Sequence, residues 1–263
     1  MGSAFNVVIP ARFASTRLPG KPLADICGQP MILHVVSRAL DSGAAEVVVA
    51  TDDERVAETV SGVGYEVALT RADHASGSDR VMEVATQRGW KEDVRVINLQ
   101  GDEPLIPPSV IVQVAELLEG PGSVEVATLC EPLAGRSALF DPNVVKVVRS
   151  QQGLALYFSR APVPYARDEF AAAKTGSAEV ELLPRPDLWF RHIGIYGFTV
   201  RSLSRFVGLP QSALESTEAL EQLRMLDFGM AIRVEEAVAP VPGGVDTPQD
   251  LTRVREVVGA AGD

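Results

Sequence analysis

The chain has 263 residues, a formal charge of −11 and two cysteines, Cys27 and Cys130, that are distant in sequence. The charge excludes a general affinity for nucleic-acid backbone or anionic lipid, and the isolated cysteines disfavour a disulfide framework or a zinc finger. The length suits one large α/β domain or two small ones. The N-terminus lacks the basic flank of a signal peptide and no apolar stretch reaches about 18 residues, so we expect a cytoplasmic protein.

Up to about residue 130, short β-branched runs alternate with helical segments. The predicted strands are Phe5–Ile9, Glu46–Ala50, Tyr65–Leu69, Val94–Leu99 and Val124–Leu129. The predicted helices are Met31–Leu40, Asp53–Val60, a helix that Ser78 caps and that reaches Arg88, and a helix from Pro107 or Pro108 to Glu119. This alternation predicts an α/β fold with a mostly parallel, Rossmann-like central sheet flanked by helices.

The pattern changes after about residue 140. The later predicted elements are a hairpin of Val144–Arg149 and Leu154–Phe158, a strand at Trp189–Thr199, a helix at Thr217–Phe228, a strand at Ile232–Glu235, and a last helix that Thr247 caps and Pro248 starts. The stretch Ala166–Arg185 has no clear period and indicates a mobile loop or a short helix. We expect one domain over residues 1–263, in which residues 140–200 contribute a hairpin elaboration for dimerisation.

Charge is distributed unevenly, and the basic part coincides with a long loop. Residues 1–40 carry +3 and the rest of the chain carries −14. The loop Pro10–Pro22 follows the first strand, at the sheet edge where open α/β proteins bind ligands. It contains three cations and two hydroxyls: Arg12, Arg17, Lys21, Ser15 and Thr16. This set suits a triphosphate, although on charge alone a solvated loop is an equally good interpretation.

Two further segments follow predicted strands. In Gln100–Pro104, Gly101 permits close backbone approach, and Asp102 offers the hard oxygen that Mg²⁺ prefers, although an acidic helix cap is the common alternative. Arg71–Arg80 combines small polar residues with a helix start, which suits a base or ribose and equally an ordinary capped turn. His192 and Tyr196 share a strand and face either a ligand or the core.

Several enzyme classes lack their motifs. The first loop is not a Walker A motif, no GxGxxG fingerprint supports a dinucleotide-dependent oxidoreductase, and neither a nucleophile elbow nor HExxH is present. A metal-dependent glycosyltransferase would need a DxD pair, but Pro104 stands at its third position.

Segments across nearly the whole chain resemble the 3-deoxy-manno-octulosonate cytidylyltransferases (CMP-Kdo synthetases) in family order. The matching segments are Pro10–Leu23, Ala50–Asp52, Thr70–His74, Gln100–Pro104, Leu156–Arg160, Arg191–Gly197, Glu218–Arg224 and Gly244–Pro248. Each segment alone is unspecific, whereas the ordered set is highly specific to this family.

The resemblance implies a homodimeric, Mg²⁺-dependent nucleotidyltransferase. It would transfer CMP from CTP to the anomeric hydroxyl of 3-deoxy-D-manno-octulosonate (Kdo), giving CMP-Kdo and diphosphate for lipopolysaccharide biosynthesis. The implied catalytic residues are Arg12, Lys21 and Asp102, and the implied metal ligands are Asp102 and Asp246. The implied nucleotide-binding residues are Arg12, Ser15, Arg17, Lys21, Arg71, Ser76, Gly77 and Gln100. The implied sugar-acid-binding residues are Gln100, Arg160, His192, Tyr196, Glu215 and Gln222, with Arg160 pairing with the carboxylate and Glu215 accepting hydroxyls.

Two departures from the family pattern leave the acceptor open. The segment Phe170–Leu188 is longer than in typical members, and Ser216 and Thr217 differ beside Glu215. An amino-substituted Kdo or a sialic acid is therefore the alternative acceptor, although the His192–Tyr196 strand favours Kdo. A catalytically silent nucleotide-binding protein is the alternative of another class, and it predicts the loss of a cation or metal carboxylate, all of which are retained.

Overall fold

The computed structural model describes residues 4–14, 18–119, 124–168, 170 and 187–262. The strands are β1 (Phe5–Pro10), β2 (Asp25–Ile26), β3 (Gln29–Pro30), β4 (Glu46–Thr51), β5 (Glu66–Leu69), β6 (Arg95–Asn98), β7 (Val126–Pro132), β8 (Lys146–Arg149), β9 (Ala155–Ser159), β10 (Phe190–Thr199) and β11 (Ile232–Glu236). The helices are α1 (Met31–Asp41), α2 (Glu54–Ser61), α3 (Gly77–Gln87), α4 (Pro108–Glu116), α5 (Arg136–Phe140), α6 (Val200–Val207), α7 (Ala213–Glu218), α8 (Gln222–Asp227) and α9 (Pro248–Gly262).

The main sheet has the order β11-β7-β10-β6-β1-β4-β5. Strand β10 runs antiparallel to both of its neighbours, β6 and β7, and the other adjacent pairs are parallel. The predicted α/β fold with a mostly parallel central sheet is confirmed. Strand β10 joins β6 to β7, so the antiparallel strand lies in the middle of the sheet.

Apolar side chains of the central strands alternate between two packed faces, as period-2 patterning requires. Phe5, Val7 and Ile9 of β1 pack with α1, α2 and α4 on one face, whereas Val8 packs with α3 and α6 on the other. Both faces are therefore covered by helices. No helix of the described residues is long and apolar enough to cross a membrane.

Helix starts follow local capping chemistry, which corrects one prediction. Ser76, and not Ser78, caps α3, because the Ser76 hydroxyl accepts from Asp79 N while the Asp79 carboxylate accepts from Ser76 N. At α9 the prediction is confirmed: Thr247 Oγ1 accepts from Asp250 N at 3.2 Å, and the Asp250 carboxylate accepts from Thr247 N at 2.9 Å. Reciprocal caps of this kind satisfy donors that the first helical turn leaves free.

The region after residue 140 contains the predicted hairpin, since β8 and β9 pair antiparallel and β8 also pairs with β10. The predicted continuous helix over Thr217–Phe228 is wrong. A capping box at Ser212 starts α7 earlier, and Ala219 adopts left-handed backbone (φ +50°) that ends it. The chain bends there before α8. Most of the predicted loop or short helix at Ala166–Arg185 lies outside the described residues.

Candidate active site

The loops that follow β1 and β6 meet at one edge of the sheet. These two strands are parallel neighbours, and the chain leaves β1 towards β4 on its other side. A topological switch point of this kind opens a crevice at the carboxyl ends of the strands. The triphosphate-type loop and the Gln100–Pro104 segment therefore share this crevice.

A cavity of about 380 Å³, here called the outer cavity, occupies the crevice. Its lining residues are Pro10, Ala11, Arg12, Ala14, Lys21, Pro22, Gly77, Gln100, Gly101, Asp102 and Asp246. Residues separated by more than 200 positions, Arg12 and Asp246 among them, thus line one space. Ser15 and Arg17 lie outside the described residues.

Lys21 lies between the two predicted metal carboxylates. Its Nζ donates to Asp102 Oδ2 at 2.6 Å and to Asp246 Oδ1 at 3.0 Å. Burial alone would lower the pKa of the Lys21 ammonium, but the contacts with Asp102 and Asp246 outweigh it, so the pKa lies above its ordinary value. Lys21 is therefore charged, and both carboxylates converge on one cationic position.

Close backbone packing fixes the distance between the two carboxylate-bearing loops. Val245 N donates to Asp102 O at 2.9 Å. A Cβ atom on Gly244 would lie 3.0 Å from that carbonyl oxygen and 2.9 Å from Glu103 Oε1. Only glycine permits this approach without a shift of backbone. The segment before α9 therefore holds Asp246 opposite Asp102.

Glu103 lies behind this pair and differs from it in charge. Burial, followed by repulsion from Asp102, raises the pKa of Glu103 to about 8. Its carboxyl group is therefore mostly protonated at neutral pH, and the negative charge of the segment is carried by Asp102.

A second, narrower space of about 60 Å³, here called the inner cavity, lies on the β10 side of the crevice. Its lining residues are Ser78, Asn98, Gln100, Gly194, Tyr196, Phe198, Phe206, Glu221, Gln222 and Met225. Gln100 lines both cavities, and its Nε2 donates to Asn98 Oδ1 at 3.2 Å. The two cavities therefore adjoin at this side chain.

Two polar atoms of the inner cavity are buried without a hydrogen-bonding partner among the described residues: the Tyr196 hydroxyl and Glu221 Oε1. Burial, and then the Glu221 charge, raise the pKa of the Tyr196 phenol well above its ordinary value, so it remains a donor. Burial also raises the pKa of Glu221, against the hydroxyls of Ser78 and Ser76, which lower it. Each unpartnered group costs about 1–3 kcal/mol, which a polar ligand would recover.

The sugar-side residues predicted from the sequence separate into two groups. Gln100, Tyr196 and Gln222 line the inner cavity, whereas Glu215 and Arg160 are engaged elsewhere. Glu215 completes the α7 capping box and contacts Arg224 through both carboxylate oxygens. The Arg160 guanidinium donates to three backbone carbonyls, those of Pro142, Glu218 and Ala219.

His192 is packed against the wall of the inner cavity. Its ring lies 5.3 Å from the Tyr196 ring, measured between centroids, and its Nε2 is 3.0 Å from Thr128 Oγ1. Burial, and then the charge of Arg191, lower the pKa of His192 to about 3. His192 is therefore a neutral supporting side chain for Tyr196 in this arrangement.

The nucleotide-side loop between β5 and α3 also separates into two groups. Gly77 lines the outer cavity, with Pro10 Cγ only 3.4 Å from where its Cβ would lie. Ser76 is occupied by the α3 cap. The Arg71 guanidinium pairs with Asp73, and both side chains are exposed.

Sequence reasoning missed Glu221, Ser78 and Asn98 as inner-cavity residues. Glu221 stands directly before Gln222, which was predicted, but a continuous helix would have given it an ordinary solvated position. The break at Ala219 could not be predicted from the sequence, because left-handed backbone is typical of glycine and is disfavoured for alanine.

Comparisons with known proteins show the family of this chain. The sequence model of the cytidylyltransferase family matches residues 6–232. A 3-deoxy-manno-octulosonate cytidylyltransferase from Pseudomonas fluorescens is 54% identical over 99% of this chain and 100% of the relative. The enzyme of that name from Nitrosococcus oceani is 50% identical over 97% and 96%.

A solved structure is similar to this chain over nearly its whole length. CMP:2-keto-3-deoxy-manno-octonic acid synthetase complexed with CTP superposes with a TM-score of 0.85 at 42% identity, covering 98% of this chain and 100% of that one. The family predicted from the ordered motifs is confirmed: this chain belongs to the 3-deoxy-manno-octulosonate cytidylyltransferases.

Proposed function

We propose that the protein transfers CMP from CTP to the anomeric hydroxyl of Kdo, with release of diphosphate. The observation that carries the proposal is the junction of two unlike cavities at Gln100. One cavity offers cations and carboxylates, as a nucleotide triphosphate with a metal ion requires. The other offers buried hydrogen-bonding groups, as a polyhydroxylated acid requires.

The phosphate groups would lie in the outer cavity. Arg12 and Lys21 line it and present positive charge towards the triphosphate. When the bond between the α-phosphorus and the diphosphate breaks, negative charge grows on the leaving oxygen. Fixed cations stabilise that charge more in the transition state than in bound CTP, which is the requirement for catalysis.

Asp102 and Asp246 fit a magnesium ion. Both carboxylates converge on the Lys21 ammonium, and Mg²⁺ would take that position between two hard oxygens when the ammonium turns to the triphosphate. The described residues contain no cluster of three His, Cys, Asp or Glu side chains that could hold a metal alone, so nucleotide oxygens and water must complete the shell, as Mg²⁺ favours. When bound, Mg²⁺ would supply charge neutralisation at the phosphate oxygens.

The sugar acid would contact the inner cavity with its hydroxyl groups. The Tyr196 phenol remains a donor, and Glu221 Oε1 accepts no hydrogen bond although Arg224 Nη2 lies 4.0 Å away, so both would gain hydrogen bonds on binding. Gln100 would orient the anomeric hydroxyl at the junction. That hydroxyl attacks the α-phosphorus in line: its oxygen forms the new P–O bond and its proton passes to water, while the bond to the bridging oxygen breaks and diphosphate leaves with that oxygen. Positioning supplies much of the rate of such a transfer.

A diphosphate-release assay with CTP tests the proposal. The acceptors are Kdo, its amino-substituted variant, sialic acid and none, each with and without Mg²⁺. We expect release with Kdo that depends on Mg²⁺. Release with sialic acid alone would overturn the acceptor, and the absence of diphosphate release in every reaction would support a silent nucleotide-binding protein.

We also infer a homodimer in the cytoplasm, where CTP is available. Leu156 on β9 and Tyr165, which follows that strand, are 60% and 59% exposed, and exposed apolar side chains suit a protein contact. Light scattering should give twice the chain mass of 28.1 kDa. Monomeric wild-type protein that is fully active would contradict the dimer.

A further inference from the structure

Arg12 is held at the outer cavity by a residue of another loop. Its Nη2 donates to the backbone carbonyl of His74 at 2.6 Å. A long exposed side chain otherwise samples many rotamers, and fixing one of them before substrate arrives lowers the entropy cost of binding. The position of the His74 carbonyl therefore sets the orientation of the Arg12 guanidinium.

The loop that carries His74 is itself tied to α3 through Glu83. Glu83 Oε2 accepts from Arg71 N at 3.0 Å and contacts the His74 ring at Nε2. The other oxygen, Oε1, accepts from Gln87 Nε2 at 3.0 Å. The side chains of His74 and Glu83 are only 12% and 21% exposed, so water competes weakly for these bonds. One carboxylate thus holds both ends of the Arg71–His74 segment.

We propose that Glu83 is a positioning residue for CTP binding, which acts through the His74 carbonyl on the guanidinium of Arg12. The inference rests on the proposed function, because it assumes that Arg12 contacts the triphosphate. Glu83 does not line either cavity, so its effect on CTP has to pass through the loop. A substitution of Glu83 should therefore weaken CTP binding and leave the KM for Kdo unchanged.

A double-mutant cycle tests this route. CTP affinity is measured by calorimetry for the wild-type protein, Glu83→Ala, Arg12→Ala and the double variant. We expect Glu83→Ala to weaken CTP binding about five- to tenfold, and to cause less than about a twofold further loss when Arg12 is already absent, because coupled residues are not additive. The KM for Kdo should stay at the wild-type value.

Two further variants separate positioning from stability. Glu83→Gln retains an acceptor oxygen and should recover most of the CTP affinity. Arg88→Ala, at the end of the same helix, removes the contact of Arg88 Nη2 with Glu66 Oε2 on β5, 2.8 Å in length, and should lower the melting temperature without weakening CTP binding.

The possible failures are distinguishable. If Glu83→Ala weakens CTP binding equally in the presence and in the absence of the Arg12 side chain, Glu83 does not act through Arg12. The inference is then wrong, while the proposed function stands. If Arg88→Ala weakens CTP binding as much as Glu83→Ala, the effect is general helix destabilisation and the inference is overturned. If the wild-type protein does not bind CTP, the proposed function and this inference both fail.

Discussion

The two cavities of the site are built by different parts of the fold. The outer cavity is formed by loops that follow β1 and β6 and by the turn before α9, and it presents charge. The inner cavity is formed by the antiparallel strand β10 and the bent α7–α8 segment, and it presents buried hydroxyl, amide and carboxyl groups among apolar side chains. Charged groups at strand ends suit phosphate, whereas enclosed neutral and acceptor groups suit a sugar.

The comparison predicts that changes in the two cavities affect different kinetic constants. Outer-cavity changes should lower kcat or weaken CTP binding, because those residues face the reacting phosphate. Inner-cavity changes should raise the KM for Kdo. The predictions below test this division.

The largest effect is expected from Asp102→Asn. The substitution removes one of the two carboxylates that converge on the Lys21 ammonium, and with it half of the proposed anionic ligand set. We expect kcat to fall about 10³-fold in a diphosphate-release assay, with the melting temperature nearly unchanged. The exposed Asp227→Asn is the matched control. Near-normal release by Asp102→Asn would contradict its role as a metal ligand.

The next effect concerns the spacing of the two carboxylate loops. A Cβ atom in Gly244→Ala would lie within 3.0 Å of the Asp102 carbonyl oxygen, so the loops must separate. We expect kcat to fall about tenfold, since the loops must yield by a few tenths of an ångström, and a misplacement of about 1 Å costs about 100-fold.

Gly243→Ala is the control for that substitution. Its added Cβ would meet only Arg253 Nη2, at an ordinary 3.8 Å. Equal losses in both glycine variants would show that loop flexibility, and not the close approach at Gly244, limits the reaction.

The contrast also explains what could be predicted from the sequence. The residues of the outer cavity follow strands whose apolar runs are clear, and loops at the carboxyl ends of neighbouring parallel strands meet regardless of loop detail. Arg12, Lys21 and Asp102 lie in segments that this placement singles out, whereas Asp246 is implied by the family resemblance, and all four line one cavity with Gly77 and Gln100.

The inner cavity depends on features with weak local signals. Strand β10 lies between β6 and β7, a position that long-range pairing decides. The left-handed backbone at Ala219 breaks a segment that has helical periodicity throughout. The family resemblance implies Glu215 as a sugar-binding residue, whereas Glu221 lines the inner cavity and Glu215 pairs with Arg224.

A pair of isosteric substitutions tests which of the two glutamates binds the sugar. Glu221→Gln replaces a buried acceptor in the inner cavity, and we expect the KM for Kdo to rise about tenfold or more, because hydrogen bonds to charged groups are the strong ones. The KM for CTP should change little. Glu215→Gln weakens an ion pair and a helix cap, and should mainly lower the melting temperature. A larger rise in the KM for Kdo with Glu215→Gln would reverse the assignment.

The smallest expected effect is on the free energy of unfolding and concerns His192, which packs behind Tyr196. The Thr128 hydroxyl donates to Ile195 O at 2.7 Å, so the His192 Nε2–H donates to Thr128 Oγ1. An unfolded histidine titrates near 6.5, whereas burial, followed by Arg191, lowers the pKa of His192 to about 3. Between these values the unfolded chain binds a proton that the folded chain does not, so the free energy of unfolding decreases as the pH falls.

Urea unfolding at pH 6.5 and pH 5.0 measures this contribution. From His192 alone we expect a loss of about 2 kcal/mol over that interval, since one pKa unit corresponds to about 1.4 kcal/mol. Glu103 titrates with the opposite sign, because its pKa is raised, so the wild-type curve alone does not isolate the histidine. His192→Gln keeps a donor for Thr128 and removes the titration, and the difference between the two curves therefore reports His192. Parallel curves would mean that folding leaves the pKa of His192 unshifted. Water would then reach the ring, and the wall of the inner cavity would be open to solvent.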